Sequence, residues 1–439
     1  MPDHPVLSVR EALEATGGTL IGGDARRQFL GISTDSRTVT PGNLFIALQG
    51  ERFDGHNFLE AAASAGAGGL LIAAEAAKGL SLPRGNTTVI TVADTLAALG
   101  DLAHSWRMRF NIPVAAITGS SGKTTTKEMA ASILGLRKNV LVTPGNLNNQ
   151  IGLPLTLLGL ADRHEAAVIE MGTSLRGEIE RLTRIAAPDV GLITNIGPAH
   201  LEGLRSLDAI RDEKSDLYGY MKTSGVAIVN LDDDATRTLG SRWQGRRVTF
   251  GRTGDADVTA MNVEKRGFQG VRFVLGIEGR TVDIQISSPG EHSLSNALAA
   301  AALARAMDVD LPQIREGLQA YKPPPGRMEI RKLARGIFII DDTYNANPLS
   351  VREAIRTIRD LKEGHQAIAI LGDMLELGEQ AGRLHEEIGA FAADSGTDAL
   401  FLKGEYAVNV AAGARRGGMP EDRIHFFETS GQIMPFLQT

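Results

Sequence analysis

The sequence predicts an α/β protein of three domains built on parallel sheets, and three observations carry that expectation. Short apolar runs without alternation recur between helical patterns: "VAAIT" (114–118), "AAVIE" (166–170), "VGLIT" (190–194), "VAIVN" (226–230), "IFIID" (337–341), "AIAIL" (367–371) and "DALFL" (398–402). Such runs read as strands covered on both faces, the mark of parallel sheets. The first of them leads straight into a glycine-rich loop and a helix, "ITGSSGKTTTKEM" (117–129). The third observation is "YKPPPGRMEI" (321–330), where three successive prolines cannot continue a helix and favour an extended, semi-rigid linker.

The blocks follow in order. Residues 1–110 mix short strand-like runs with Ala-rich helical runs such as "FLEAAASAGAGGLLIAA". Residues 111–325 hold four of the apolar runs, and residues 326–439 hold the other three. In parallel sheets ligands bind at the carboxyl ends of the strands. Several of these runs end there in polar residues: Thr118, Glu170, Thr194-Asn195, Asn230 and Asp341-Asp342.

Composition narrows the function. Lys and Arg number 46 against 52 Asp and Glu, a net charge of −6. That argues against a broad nucleic-acid or anionic-membrane surface. There is no cysteine, which excludes disulfides, thiolate metal sites and cysteine nucleophiles. The N-terminus lacks a basic-then-apolar signal pattern, and no apolar run reaches the ~18 residues of a membrane span. A cytosolic protein is expected.

The loop is Gly119-x-x-Gly122-Lys123-Thr124-Thr125, two residues shorter than the usual G-x-x-x-x-G-K-[ST] pattern. Its chemistry still holds. Glycines let the backbone N–H groups of Gly119, Ser120, Ser121 and Gly122 approach phosphates, and the following helix offers its positive N-terminus. Lys123 can reach β/γ oxygens, and the Thr124 hydroxyl can bind Mg²⁺. The bland alternative is a glycine-rich turn with a surface lysine, which strand before and helix after argue against. Glu170 ends a strand in "VIEMG", where a carboxylate can hold Mg²⁺. Read singly, Glu170 is a polar strand end, His200 in "TNIGPAHLEGL" a structural histidine, and Lys214 in "AIRDEKSDL" a solvated helix lysine. Their occurrence together, in this order, changes that reading.

This set resembles the Mur ligases, the ATP-dependent amide-forming family of peptidoglycan synthesis. The family uses the short loop "TGSSGKTTT", and the resemblance runs from about Ile32 to His385. It implies a small α/β uridine-nucleotide-binding domain, a central P-loop ATPase-type domain and a C-terminal Rossmann-like domain. In "STDSRTVTPGNLFIALQGERFDGHNFLEAAASAGA", Ser36, Arg37, Phe53, Asp54, Gly55 and His56 fall in the uridine-nucleotide signature. "TPGNLNNQIGLPLTLL", with Asn148 and Asn149, resembles a loop facing the reacting phosphate and substrate. Lys214 falls where the family has a carbamylated lysine. Thr124, Glu170, His200 and carbamylated Lys214 would then serve two Mg²⁺ ions. "PGEHSLSNALAAAAL" resembles the adenine-contacting helix, with Asn296 the base contact, and "GRMEI" supplies Arg327 near the nucleotide.

"DDTYNANPLSVREAI" and "LGDMLELGEQAGRLHEEIG" are the most specific pieces, and "YNANP" points to the dipeptide-adding branch. Asp342 is the expected ribose contact, while Tyr344, Asn345 and Asn347 are expected at the dipeptide or phosphate. The implied substrates are UDP-MurNAc-tripeptide, D-Ala-D-Ala and ATP, handled by a monomer whose proline linker is the hinge. Two stretches depart from relatives: Ser174-Leu175 in "EMGTSLRGEI" and Ser293 in "GEHSLSN". Competing expectations are a folylpolyglutamate-type ligase, a non-catalytic P-loop switch and a catalytically dead relative. "DSRTVTPG", "DDTYNANP" and the intact set from Lys123 to Lys214 argue against each in turn.

Overall fold

A computed structural model describes residues 5–50, 52–78, 87–362 and 364–433. Its centre is a nine-stranded sheet. Strands Val140–Val142, Ala166–Glu170, Val114–Thr118, Val190–Ile193, Val226–Asn230, Arg246–Gly251 and Val258–Lys265 lie side by side in that order, all parallel. The side-chain period of two explains their apolar runs. Ala115, Ile117, Val168, Leu192 and Ile228 join one core with the helices Lys123–Leu134, Glu291–Ala306 and Leu311–Ala320. Val114, Ala116, Ile169, Ile193 and Val229 join another with the helices Thr95–Arg107, Gly152–Leu158, Glu178–Ala186 and Leu207–Tyr220. Over Val114–Thr118, Ala166–Glu170, Val190–Ile193 and Val226–Asn230 both faces are covered, so these four strands carry no polar alternation.

The sheet continues as an antiparallel meander, Val258–Lys265, Val271–Ile277 and Arg280–Ile286. Glu278 and Gly279, both at positive φ, make its two-residue turn. Here alternation is present: in Val271–Ile277 every second residue is buried.

In the first block, strands Thr19–Gly22, Thr88–Val92, Gly69–Ala73, Leu44–Ile46 and Ile32–Ser33 form a sheet in that order, parallel except for its first pair. The run "FLEAAASAGAGGLLIAA" is helical only in its first half. Leu59–Ser64 is helix, and Gly69–Ala73 is the central strand. Gly66, at φ +95°, and Gly68 end the helix, and the wholly apolar "GLLIA" suits a strand buried on both faces.

In the third block, Ile368–Leu371, Ala399–Leu402 and Ile424–Phe426 form a parallel sheet. It packs on the helices Pro348–Leu361, Ala381–Asp394 and Ala407–Arg416. "IFIID" departs from the parallel expectation. Phe338–Asp341 pairs antiparallel with Glu329–Lys332, because the five residues between them are far too few for a crossover. Residues 108–113 and 321–328 are irregular. We keep 1–110, 111–325 and 326–439 as the proposed domain division. Among the described residues no helix is long and apolar enough to cross a membrane.

Candidate active site

Strand register builds the site's floor. Glu170 lies opposite Ile117, and Ile193 lies opposite Thr118, so Thr118, Glu170 and Thr194 finish at one edge of the sheet. From that edge the loop 119–122 turns into the helix Lys123–Leu134. Gly119 takes φ +146°, and a Cβ there would stand 1.9 Å from Thr194 Oγ1. Gly122 takes φ +81°, and its Cβ would stand 2.3 Å from Asn296 Oδ1. Only glycine meets both demands at either position.

The next strand end holds the loop in shape. Ser120 N–H donates to Asn195 O at 3.0 Å, and Ser121 N–H donates to Asn195 Oδ1 at 2.9 Å. Thr194 Oγ1 donates to Ser121 O at 2.6 Å, and Ser120 Oγ donates to Gly197 O at 2.9 Å. Lys123 Nζ folds back onto Gly119 O at 2.8 Å. Burial lowers the Lys123 pKa; Glu170 and Glu376 oppose that shift, while Arg327 adds to it. Thr125 is half-buried in the first turn of the same helix.

The Thr124 hydroxyl is a crossing point. It donates to Glu170 Oε1 at 3.2 Å and accepts from the Arg327 guanidinium at 3.0 Å. Asn148 Nδ2 donates to the same Glu170 oxygen at 2.8 Å. Glu170, 2 % exposed, leaves Oε2 without a hydrogen-bond partner among the described residues, though Lys127 Nζ stands 3.7 Å away. Lys214 is fully buried, and its Nζ has no hydrogen-bond partner among the described residues. Burial drives its pKa well below the ordinary value, and the nearby Lys123 charge adds to the effect.

A buried carboxylate oxygen and a buried amine without partners are costly, and they sit where the sequence expects a cation site. No group of three or more His, Asp or Glu side chains forms a ready cation cage among the described residues. The donors present are a carboxylate, a hydroxyl and an amine that becomes an oxygen donor only on carbamylation. That set fits Mg²⁺ completed by phosphate oxygens. No hydrogen bond or ion pair links His200 to Thr124, Glu170 or Lys214 among the described residues. The His200 backbone is left-handed at φ +55°, and its Nδ1 pairs with Glu376 of the third block.

Asn296, buried on the Glu291–Ala306 helix, accepts from Thr126 Oγ1 at 3.3 Å beside Gly122. His292, one turn earlier, is half-buried, with its Nδ1 enclosed and unpartnered among the described residues, and desolvation lowers its pKa to about 4. Arg327 stacks over Tyr344 at 4.0 Å. Asp342 accepts from Met328 N–H at 3.1 Å, and burial raises its pKa to about 6. Asn347 caps the helix Pro348–Leu361 through Ser350 N–H at 2.9 Å, and its Nδ2 also reaches Ser120 O at 3.2 Å. Asn345 is exposed, and its Oδ1 accepts from Ala346 N–H at 2.9 Å. Asn149 is exposed and accepts from Gly152 N–H at 2.9 Å, so its side-chain oxygen starts the next helix.

The first-block signature lies apart from this cluster. Phe53 is 75 % exposed, Ser36 is half-buried, and Arg37 is exposed and paired with Asp35 at 2.6 Å. His56 differs from the expected ligand contact. It is buried, donating from Nδ1 to Asp54 at 2.6 Å and accepting Ala73 N–H at Nε2 at 3.0 Å. Both ring nitrogens are used internally, so His56 holds the loop that carries Phe53. Gly55 lets that loop pass Leu48, whose N would be 2.8 Å from a Cβ.

Two residues were not singled out from sequence. Lys127, 0 % exposed, donates to Thr143 O at 2.7 Å and stands 3.0 Å from Glu128. Its place one turn after Lys123 in "GKTTTKE" was a signal available to read. Glu376 lies in "LGDMLELG", a segment quoted for its specificity but given no role.

Comparison with known proteins covers the same ground. Residues 28–107 match the Mur ligase family catalytic domain, 117–304 the Mur ligase middle domain, and 326–437 the Mur ligase glutamate ligase domain. The Escherichia coli K12 UDP-N-acetylmuramoyl-tripeptide–D-alanyl-D-alanine ligase is 36% identical over 411 residues, 93% of this chain and 88% of that protein. A crystal structure of MurF from Acinetobacter baumannii superposes with a TM-score of 0.90 at 33% identity, covering 100% of this chain and 93% of the other. The MurF ligase of Thermotoga maritima in complex with ADP gives 0.81 at 28% identity, covering 92% and 90%.

Proposed function

Because the chain belongs to the Mur ligase family, we propose that it joins D-alanyl-D-alanine to UDP-N-acetylmuramoyl-tripeptide. The reaction consumes ATP and yields UDP-MurNAc-pentapeptide, ADP and phosphate, a step of peptidoglycan precursor synthesis. One observation carries the reading beyond family membership. Groups of the second and third blocks meet at the phosphate loop, where Thr124 contacts both Glu170 and Arg327 and Asn347 contacts Ser120.

A carboxylate does not acylate an amine at neutral pH, because oxide is too poor a leaving group. Transfer of the γ-phosphoryl group to a carboxylate oxygen replaces it with phosphate. The dipeptide amine then attacks the carbonyl carbon, the C–O bond breaks, and phosphate departs. Bringing a carboxylate to a triphosphate costs about 4 kcal/mol per charge pair at ~4 Å and an effective dielectric near 20. Lys123, the loop N–H groups and Arg327 supply fixed positive charge against that cost. Mg²⁺, held by Thr124 and Glu170 and by His200 with carbamylated Lys214, would neutralise further charge. Carbamylation would also replace the repulsion between protonated Lys214 and Lys123 with attraction between an anion and a cation.

The remaining assignments extend this reading. Asn296 faces the adenine and Asp342 the ribose. Ser36, Arg37, Phe53, Asp54 and Gly55 take the uridine nucleotide, with His56 supporting their loop. Asn148 positions Glu170, while Asn149, Tyr344, Asn345 and Asn347 line the path of the incoming dipeptide.

The test is phosphate release with ATP and Mg²⁺, adding UDP-MurNAc-tripeptide and D-Ala-D-Ala separately and together. The expected result is release only with both, matched by the pentapeptide mass. Release with a free amino acid in place of the dipeptide would move the chain to a sister ligase, and no release at all would overturn the reading.

A further inference from the structure

We propose that Glu376 is a positioning residue of the third block that makes His200 a competent cation ligand only when that block is seated on the second. The inference rests on the ligase reading and assigns a role to the "LGDMLELG" loop. The contact itself crosses between blocks: the Glu376 carboxylate pairs with His200 Nδ1. A histidine that donates from Nδ1 to a carboxylate has its tautomer fixed, which leaves the Nε2 lone pair for a cation. Metal-bound histidines commonly have such a carboxylate partner.

The loop is built to deliver this contact. On its own side it is held by further hydrogen bonds. Met374 N–H donates to His385 Nε2 at 2.9 Å, and Asp373 accepts from Glu405 and Tyr406 N–H at 2.8 and 3.0 Å. Across the gap, Glu202 N–H donates to Glu376 O at 3.0 Å. Leu201 and Leu204 share one apolar core with Met374 and Leu377. Both partners adopt left-handed backbones, His200 at φ +55° and Glu376 at φ +61°. That conformation is unfavourable for residues with a Cβ, and here mutual docking holds it in place. A third block swung away would take the carboxylate with it and leave His200 free to turn.

The test compares wild type, Glu376→Ala, Glu376→Gln, His200→Ala and the double variant His200→Ala/Glu376→Ala. Mn²⁺ is the probe, titrated by electron paramagnetic resonance in the presence of ADP and UDP-MurNAc-tripeptide. Glu376→Ala is expected to weaken the His200-dependent Mn²⁺ binding tenfold or more. Glu376→Gln, whose amide oxygen still accepts from Nδ1, is expected to recover most of that loss. The double variant should bind no worse than His200→Ala alone, because the two residues act through one contact. In turnover, Glu376→Ala should raise the phosphate released per amide formed. Wild-type Mn²⁺ affinity in Glu376→Ala, additive losses in the double variant, or no loss in His200→Ala would each overturn the proposal. Wild-type ligation alongside any of these results would leave the ligase reading intact. Absence of wild-type ligation would remove that reading, while the Mn²⁺ comparison still decides the coupling.

Discussion

At the scale of single residues, chemistry was legible where a side chain stands at a strand end next to the loop. Lys123, Thr124 and Glu170 follow from residue type and position, and the fold places them in contact or nearly so. Lys214 was not legible from its own surroundings, since a helix lysine is ordinarily solvated; only its complete burial distinguishes it. The internal bonding of His56 was hidden for the converse reason, because sequence cannot show that both ring nitrogens have partners within the first block. Asp342 gives a test in pH. Burial raises its pKa from 3.8 to about 6. Over that interval the native state holds the proton more tightly than the unfolded chain. Its contribution is therefore present below pH 4 and is lost as pH rises through about 6. Asp342→Asn removes this dependence. Denaturant midpoints at pH 5 and pH 7 should show the variant gaining on wild type at the higher pH, and an unchanged difference would contradict the assignment.

Elements were easier to read than residues when burial erased alternation. All seven apolar runs contain strands; five are buried throughout, as a strand covered on both faces must be, whereas Phe338–Asp341 and Ile368–Leu371 are partly exposed. The pairing of a run is a different matter, because direction depends on the length of the connection. Phe338–Asp341 turned antiparallel on this account. The meander from Val258 to Ile286 was passed over because its residues alternate, a pattern that marks a sheet with one solvated face. The phosphate loop carries the prediction at this scale. Gly119→Ala would place a Cβ at φ +146° and 1.9 Å from Thr194 Oγ1. The strain and overlap should cost about 2 kcal/mol or more. The loop should also shift enough to abolish ADP binding by calorimetry. Retained ADP affinity would show that the loop tolerates a side chain, contrary to the geometry.

Across the whole molecule, function depends on bringing groups from separate blocks to one place. The order of motifs in the sequence indicated which groups those are, but their meeting depends on tertiary contacts hundreds of residues apart. Arg327 with Thr124, Asn347 with Ser120 and Glu376 with His200 are three such contacts. Each joins the third block to the edge of the central sheet, where the γ-phosphoryl group would be transferred. If this arrangement activates a carboxylate as an acyl phosphate, one carboxylate oxygen must leave with the phosphate. The direct measurement uses UDP-MurNAc-tripeptide with both oxygens of the reacting carboxylate labelled with ¹⁸O, turned over with ATP and D-Ala-D-Ala. One ¹⁸O is expected in every phosphate released, with one retained in the new amide. Unlabelled phosphate alongside pentapeptide would contradict it.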